Sequence, residues 1–282
     1  MIVAIASGKG GTGKTTVAAN LAVCLPSPVS LLDCDVEEPN CHLFLNPDIR
    51  STERFTLPFP VVNSDLCTGC GECSRVCRYS AIVNLKSKPL VFPELCHGCG
   101  GCMEICPEEA ITENRREVGT LSFGEHNHIS FVQGLLDVGQ SLSPPLIRAV
   151  RRYSRNNGIT VIDSPPGTSC PVIAAVNKSD YIVLVTESSP FGLHDLKLAV
   201  ETVRKLNLPF GTVINRVNPR ELRVAEYCRR EGIPVLLEIP EDRKAAEAYS
   251  RGELLVDAVP GFRRLFEELA ERLLGNSIAT AG

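Results

Sequence analysis

The chain lacks the long apolar run that a membrane-spanning helix needs. No apolar stretch in its 282 residues reaches about 18 residues, so we expect no bilayer-spanning segment. An excess of charge of one sign is also missing. With 29 Lys and Arg against 33 Asp and Glu, the net charge is −4, which gives no general attraction to nucleic acid or to an anionic membrane surface. We therefore expect neither a nucleic-acid partner nor a stable membrane anchor.

The apolar N-terminal stretch, residues 1–6, lacks the basic residues that begin a signal peptide. It runs straight into a glycine-rich loop, so we expect a first β-strand there and not a leader. Similar short apolar runs return along the chain and alternate with helical patterns. The strand-like runs are 29–33, 160–163, 181–186, 211–215 and 234–239, and the helical ones are 15–25, 193–206, 219–231 and 262–274.

Short apolar strands separated by helices are typical of a parallel sheet that is buried on both faces. The sequence therefore predicts an α/β fold with a mostly parallel sheet covered by helices on both faces. Its 44% of apolar residues is enough for such a core. The alternation stops near residue 55 and resumes near 117. We therefore divide the chain into a main domain, residues 1–55 and 117–282, and an inserted domain, residues 56–116.

A glycine-rich loop, G-K-G-G-T-G-K-T, follows the first predicted strand. Its glycines also satisfy a dinucleotide fingerprint, with Asp33 twenty residues beyond Gly13 as the acid for a ribose. Lys14 and Thr15 favour a nucleoside triphosphate, because the lysine reaches the β- and γ-phosphates and the hydroxyl ligates Mg²⁺. Asp163, which ends a later apolar run, is the candidate second magnesium partner. The candidate ATP-binding residues here are Gly8, Lys9, Gly10, Gly11, Thr12, Gly13, Lys14, Thr15 and Thr16.

A second lysine in the loop, Lys9, gives residues 9–15 the form of the deviant Walker A motif. The chain resembles the MinD/Mrp/nitrogenase-iron-protein superfamily in three segments. They are this loop, D-C-D-V-E-E-P-N at 33–40 and D-S-P-P-G-T at 163–168. The resemblance implies a P-loop ATPase with ATP and Mg²⁺, in which Lys9 and Lys14 are catalytic and Asp35 orients the attacking water. Without the resemblance, Asp35 could equally be an ordinary acid at the end of a strand.

The resemblance also implies a homodimer that forms around ATP, with Lys9 reaching the nucleotide of the partner subunit. Two later segments, at 215–216 and 239–242, resemble the adenine-binding segments of the same superfamily. By that resemblance Asn215, Pro240 and Asp242 are candidate ATP-binding residues. Considered by itself, Asn215 is as readily a cap at the end of a strand.

Eight of the thirteen cysteines form two runs with the same spacing, C-x2-C-x2-C-x3-C. They belong to an internal repeat in which residues 66–82 match 95–111 at an offset of 29. Structural zinc sites usually pair two Cys-x2-Cys units, whereas three close cysteines and a further fourth suit a cubane iron–sulfur cluster. Such a module has little core and depends on its clusters. Metal-ligand spacing beside a nucleotide loop indicates a reducing cytoplasm and not disulfides.

The cysteine runs resemble those of bacterial two-cluster ferredoxins, in which the fourth cysteine of each run serves the other cluster. The resemblance implies an inserted α+β ferredoxin domain with two [4Fe–4S] clusters. The first would take Cys67, Cys70, Cys73 and Cys106, and the second Cys96, Cys99, Cys102 and Cys77. Arg78 stands where ferredoxins often have proline, which alters a turn but removes no ligand.

Cys170 follows Asp163 by seven residues, at the place where the nitrogenase iron protein has a cluster ligand. The second upstream cysteine that a stable bridging cluster needs is missing from 131–150. Cys170 is therefore a candidate only for a bridging or transient ligand between subunits, or for a structural role.

Three functions of different classes fit these features. The first is an ATPase that couples dimer switching to electron transfer, which complete four-cysteine sites favour because they retain their clusters. The second is an iron–sulfur carrier or assembly ATPase like the Mrp relatives, which a labile cluster at Cys170 would favour. The third is a MinD-like positioning ATPase, for which residues 275–282 leave little room for a targeting helix. For the first two we expect an unidentified redox or iron–sulfur acceptor protein as partner.

Overall fold

A computed structural model describes residues 1–26, 28–86, 88–155 and 157–280. The chain divides into two compact units. Unit 1 comprises Met1–Thr52, Leu121–Leu135 and Ile147–Gly282, and unit 2 comprises Glu53–Thr120 and Leu136–Leu146. The insert expected at 56–116 lies within unit 2, and the ferredoxin-like character of that insert stays a prediction.

Eleven strands occur in the described part of the chain. They are β1 (Ile2–Ala6), β2 (Val29–Asp33), β3 (Asp48–Val62), β4 (Ile82–Leu85), β5 (Lys88–Val91), β6 (Ile111–His126), β7 (Ile129–Leu136), β8 (Ile159–Asp163), β9 (Tyr181–Glu187), β10 (Phe210–Val217) and β11 (Val235–Pro240).

The described residues also form eleven α-helices and one short 3₁₀ turn, Pro93–Leu95. The helices are α1 (Lys14–Cys24), α2 (Cys41–Leu45), α3 (Glu72–Val76), α4 (Gly101–Glu104), α5 (Ser143–Arg151), α6 (Cys170–Val176), α7 (Pro190–Leu206), α8 (Arg223–Arg230), α9 (Arg243–Ser250), α10 (Leu255–Ala258) and α11 (Phe262–Thr280). Within these ranges, no helix combines the length and the apolar character that crossing a membrane requires.

Nine strands form one sheet in the order β11-β10-β9-β1-β8-β2-β7-β6-β3. From β11 to β7 each strand is parallel to its neighbours, so the predicted α/β fold with a mostly parallel sheet is confirmed. Because parallel strands end at the same edge, the loops after β1, β2 and β8 lie together. That edge carries the phosphate loop, Asp33 and Asp163.

Helices cover both faces of the parallel strands. On one face, Val3 and Ile5 of β1 belong to a core cluster with Phe266 and Leu269 of α11. On the other face, Ala6 lies in a small cavity that Ala199, Val203 and other side chains line. Phe266 is fully buried, so truncation to alanine would cost about 3–5 kcal/mol.

Two long strands, β3 and β6, were not identified from the sequence. Most side chains in the first half of β3 are exposed, so the strand carries no apolar pattern that would distinguish it from a loop. The chain passes from one unit to the other within β3 and within β6. The strands themselves are continuous across the boundaries drawn from composition.

Unit 2 holds a two-stranded antiparallel sheet, β4 with β5, in which Ile82 pairs with Val91. Its small core consists of Cys73, Ile82 and Ile111, with the cysteines 77, 102 and 106 among the side chains packed against it. Cysteine thus supplies much of the apolar contact in this unit.

Candidate nucleotide site and cysteine cavities

The loop between β1 and α1 is tight at its ends and open in the middle. A Cβ on Gly8 would clash with the Asp195 carbonyl oxygen, and one on Gly13 would clash with Asn215 Nδ2. Gly13 also has a φ of 95°, which favours glycine. A Cβ on Gly10 or Gly11 would have no described atom within 4 Å. The open middle faces a cavity of about 480 Å³.

Helix α1 begins at the end of this loop and points its N-terminus toward the cavity. Lys14 and Thr16 are buried, and Gly10, Gly11, Gly13, Lys14, Thr15 and Thr16 line the cavity. Unpaired backbone N–H groups and the helix dipole at an N-terminus bind phosphate, and the buried ammonium of Lys14 adds positive charge. The arrangement can hold a phosphate chain.

A candidate cation site lies where α1 meets β8. The Thr15 hydroxyl donates a hydrogen bond of 2.6 Å to Asp163 Oδ2. Asp163 is fully buried, and its Oδ1 has no hydrogen-bond partner among the described residues. A hydroxyl beside a carboxylate oxygen with free lone pairs is the donor set that Mg²⁺ prefers. Thr15 and Asp163 therefore fit the predicted magnesium site.

The Cys41 thiol also contacts this carboxylate, with Sγ 3.4 Å from Asp163 Oδ2. One donor atom from each of Asp33, Cys41 and Asp163 lies within 4.8 Å of the others. Burial, followed by the neighbouring carboxylates, raises the pKa of the Cys41 thiol, so Cys41 is a neutral donor here. Cys41 had no role predicted from the sequence, because 122 residues separate it from its partner.

Asp33 holds both ends of the segment that follows β2. Its Oδ1 accepts a hydrogen bond from Asp35 N at 3.2 Å, and its Oδ2 accepts one from Cys41 N at 2.9 Å. Burial and then the Asp163 carboxylate raise the pKa of Asp33. Asp33 therefore fixes the two ends of this segment and is not among the residues that line the described cavity.

Asp35 is half-buried and lines the cavity. Burial raises its pKa to about 7, with a further increase from Asp163 and an opposing decrease from Lys14. A carboxylate with this pKa can accept a proton near neutral pH. Glu38 and Asn40 of the same segment also line the cavity, and neither had an individual role predicted from the sequence.

Lys9 does not line the described cavity of its own chain. Its Nζ lies 2.5 Å from Glu187 Oε1 and 3.8 Å from Asp195 Oδ2. Glu187 ends β9 and Asp195 lies in α7, far from Lys9 in the sequence. Neither acid was predicted as a partner of Lys9, because nothing near the lysine in the sequence identifies them.

The three residues expected near adenine, Asn215, Pro240 and Asp242, all line the cavity. Asn215 Nδ2 donates to the Thr12 carbonyl oxygen at 2.9 Å. The Asp242 carboxylate accepts hydrogen bonds from Lys244 N at 2.6 Å and Ala245 N at 3.1 Å. Its carboxylate therefore caps helix α9. Asn215 ties the end of β10 to the phosphate loop.

The eight cysteines of the two runs line two separate cavities in unit 2. We name them by their first cysteine. The Cys67 cavity is lined by Cys67, Cys70, Cys73 and Cys106. The Cys96 cavity is lined by Cys77, Cys96, Cys99 and Cys102. Each cavity therefore takes three thiols from one run and the fourth from the other.

The two runs also share their backbone conformation. Gly69 and Gly71 have φ of 73° and 80°, and their repeat partners Gly98 and Gly100 have 66° and 76°. These left-handed turns wrap each run around its cavity. Two sulfur atoms accept backbone hydrogen bonds, Cys96 Sγ from Gly98 N at 3.4 Å and Cys106 Sγ from Ala110 N at 3.3 Å.

The remaining cysteines lie in unit 1. Cys34, Cys41 and Cys228 are buried, Cys24 is half-buried, and Cys170 is exposed at the first residue of α6. A thiol at this position is accessible to a partner, which a bridging or transient ligand would need. That role for Cys170 stays a prediction.

Comparison with known proteins identifies the family. A family model described as the CobQ/CobB/MinD/ParA nucleotide binding domain matches residues 3–256. An uncharacterized protein of Methanocaldococcus jannaschii is 31% identical over 280 residues, which cover 97% of this chain and 96% of that protein. The iron-sulfur cluster carrier protein of Aquifex aeolicus is 26% identical over 284 residues, which cover 92% of this chain and 62% of that protein.

Among solved structures, the septum site-determining protein MinD complexed with Mg-ADP from Pyrococcus horikoshii OT3 has a TM-score of 0.62 and 22% identity. The match covers 96% of this chain and 95% of that chain. The fold and the phosphate loop define a P-loop nucleotide-binding protein of the α/β class. The chain belongs to the CobQ/CobB/MinD/ParA nucleotide-binding family, and the predicted superfamily is confirmed at that level.

Proposed function

We propose that the chain is an ATP-hydrolysing iron–sulfur protein of the cytoplasm, in which a nucleotide-dependent dimer is coupled to electron transfer through two [4Fe–4S] clusters. The observation that carries the proposal is the exchange of the fourth cysteine between the two runs. Zinc sites built from local Cys-x2-Cys pairs do not need this exchange. Two cubanes in a ferredoxin-like module do.

The chemistry of the donors fits a cluster in each cavity. Burial raises the pKa of the thiols of Cys73, Cys96 and Cys102, so an apo module would hold these three thiols neutral. Bound iron would stabilise the thiolates, and the backbone N–H groups of Gly98 and Ala110 donate to two of the sulfurs. A bound cluster supplies one-electron chemistry. Coupling therefore needs a low-potential one-electron donor protein and an acceptor protein.

The nucleotide cavity has the parts for phosphoryl transfer to water. Lys14 and the N-terminus of α1 would neutralise the β- and γ-phosphates, and Thr15 and Asp163 would hold Mg²⁺, which offsets phosphate charge when bound. Asp35 would orient the attacking water and accept its proton late in the reaction. Catalysis is then mostly positioning and electrostatic stabilisation.

Lys9 would complete the site of the partner subunit. In a single chain it is held by Glu187 and Asp195, away from its own cavity. An ATP-bound partner would offer its phosphates in place of these acids, so the ammonium would exchange one set of anions for another. The two states differ in contacts that depend on the γ-phosphate, which is the condition for a nucleotide to shift a conformational equilibrium.

A second candidate function is iron–sulfur cluster delivery. Two observations favour it: a relative named iron-sulfur cluster carrier protein, and the exposed thiol of Cys170 at the start of α6. A carrier would hold an additional labile cluster between two copies of Cys170. That cluster would be lost in Cys170→Ser without loss of the clusters in unit 2.

The test is metal and sulfide analysis of the anaerobically purified protein. We expect about eight irons and eight acid-labile sulfides per chain, four for each cubane, and no stoichiometric zinc. Cys70→Ser and Cys99→Ser should each damage one cluster and alter its EPR signal. Cys24→Ser, a half-buried cysteine outside both cavities, is the matched control and should keep the parent content. Two zincs without sulfide would overturn the proposal.

A further inference from the structure

The two cysteine cavities carry different charges on their walls. The Cys67 cavity has two carboxylate residues, Glu72 and Glu108, among its described lining residues. The Cys96 cavity has none in its described lining, which is mostly apolar. The internal repeat makes the two thiol sets alike, so this charge difference distinguishes sites that are otherwise nearly equivalent.

A cation lies against the turn that leads into Cys96. Arg116 of β6 is half-buried, with Nη1 2.5 Å from Gln140 Oε1 and Nη2 3.5 Å from the Glu94 carbonyl oxygen. Glu94 belongs to the 3₁₀ turn Pro93–Leu95 that leads into Cys96. The Arg116 Nε is buried and has no hydrogen-bond partner among the described residues. A guanidinium stays charged at all physiological pH, so the positive charge is fixed beside this turn.

The turn that Arg116 contacts ends one residue before Cys96, so the charge is fixed near this ligand. A nearby guanidinium stabilises negative charge on the sulfur ligands, and a buried N–H without a partner can interact with that charge without being screened by water.

The carboxylates of the Cys67 cavity act with the opposite sign. Glu72 is 3.1 Å from Arg75, which offsets its charge. Glu108 is exposed and forms no ion pair with any described residue. At low ionic strength, the negative charge of Glu108 therefore acts on the cavity more strongly than the offset charge of Glu72. Added salt should weaken the effect of Glu108.

We infer that Arg116 raises the reduction potential of the cluster at the Cys96 cavity above that of the cluster at the Cys67 cavity, so that an electron entering unit 2 comes to rest at the Cys96 cavity. The inference rests on the proposed function. One-electron reduction adds one negative charge, which a nearby cation stabilises and a carboxylate destabilises. The electron comes from a low-potential one-electron donor and no proton is transferred.

The test is a dithionite titration of the holoprotein followed by EPR at low salt. The parent should show two one-electron waves. Arg116→Gln should lower the ratio of reduced to oxidised cluster in the upper wave about tenfold at a fixed potential. For one electron, this corresponds to a midpoint potential that is lower by about 59 mV. Arg115→Gln is the matched control, because Arg115 is exposed and bonds to Thr56 and Glu113. It should leave both waves in place.

Two further variants cover the case in which Arg116→Gln loses iron or fails to fold. Arg116→Lys retains the charge and should shift the upper wave less than Arg116→Gln. Glu108→Gln should raise the lower wave by less than tenfold, and added salt should remove that effect. Unmoved waves in Arg116→Gln overturn the inference while the clusters remain. If Arg116→Gln loses its iron, an upper wave that falls as much as tenfold in Arg116→Lys, or a lower wave that does not move in Glu108→Gln, overturns it. A parent protein without acid-labile sulfide overturns the proposed function as well.

Discussion

Replacement of Asp35 by asparagine should uncouple ATP binding from hydrolysis. The amide keeps nearly the same shape and can still hydrogen-bond, but it cannot take a proton from the attacking water. Asp35→Asn should therefore bind ATP with an affinity close to that of the parent and lose most of its turnover. It should also accumulate as the ATP-bound dimer.

The same change should stabilise the nucleotide-free protein in a pH-dependent way. The pKa of Asp35 is about 7 in the folded chain against an ordinary value of 3.8, so folding favours the protonated form. Below the unfolded-state pKa, Asp35 is protonated in both states and does not destabilise the fold. The destabilisation grows as pH rises and is complete above the folded-state pKa. At about 1.4 kcal/mol per pH unit, the largest possible loss in the free energy of unfolding is about 4 kcal/mol. Because Asp35 is only half-buried, we expect about 1–2 kcal/mol.

The assay is anaerobic urea unfolding of parent and Asp35→Asn at pH 8 and pH 5, with ATPase rates measured on the same preparations. The variant should be the more stable protein at pH 8, and the difference should shrink as pH falls to 5. Asp33 and Asp163 are present in both proteins, so their own titration largely cancels. A variant that hydrolyses ATP at the parent rate, with a stability difference that does not depend on pH, would show that Asp35 is only an acid at the end of a strand.

Two further substitutions test the phosphate loop. Lys9→Ala removes partly exposed contacts with Glu187 and Asp195, so it should change the free energy of unfolding by less than about 1 kcal/mol. It should leave ATP binding intact and abolish ATP-dependent dimerisation in sedimentation velocity, whereas the comparison variant Lys14→Ala should lose ATP binding itself. Normal dimerisation of Lys9→Ala would exclude the cross-subunit role. Gly13→Ala forces a side chain onto a φ of 95° and against the Asn215 amide, so it should weaken ATP binding more than about tenfold by calorimetry and lower stability by about 1–3 kcal/mol. Gly10→Ala is the control, because a Cβ there has open space around it, and it should keep the parent stability. Equal stability of Gly13→Ala and Gly10→Ala would contradict the strained geometry at Gly13.

The parts of the site that local sequence determines could be predicted well. The glycine loop, Lys14 and Thr15 are contiguous, and Asp163 ends an apolar strand, so parallel-sheet topology brings it to the same edge. The contacts that involve distant segments could not be predicted. Two such contacts depend on how separate elements pack: that of Cys41 with Asp163, and those of Lys9 with Glu187 and Asp195.

Two long strands were the other limit. The edge strand β3 has mostly exposed side chains in its first half, and β6 has an exposed polar run at residues 112–115. Such runs leave no apolar periodicity to detect. The glycine turns of the cysteine runs show the opposite case. The repeat at an offset of 29 is visible in the sequence, and its glycines have matching positive φ in both copies.

The central claim is that nucleotide bound in unit 1 alters the cysteine module of unit 2. The most direct measurement is EPR-monitored redox titration and chelator access of the holoprotein with ADP and with a non-hydrolysable ATP analogue. ATP can gate electron transfer only if it interacts differently with two conformations. We predict that the analogue shifts the potential, the line shape or the rate of iron removal relative to ADP. Identical potentials, spectra and chelation rates in both nucleotide states would contradict the claim and leave two independent modules on one chain.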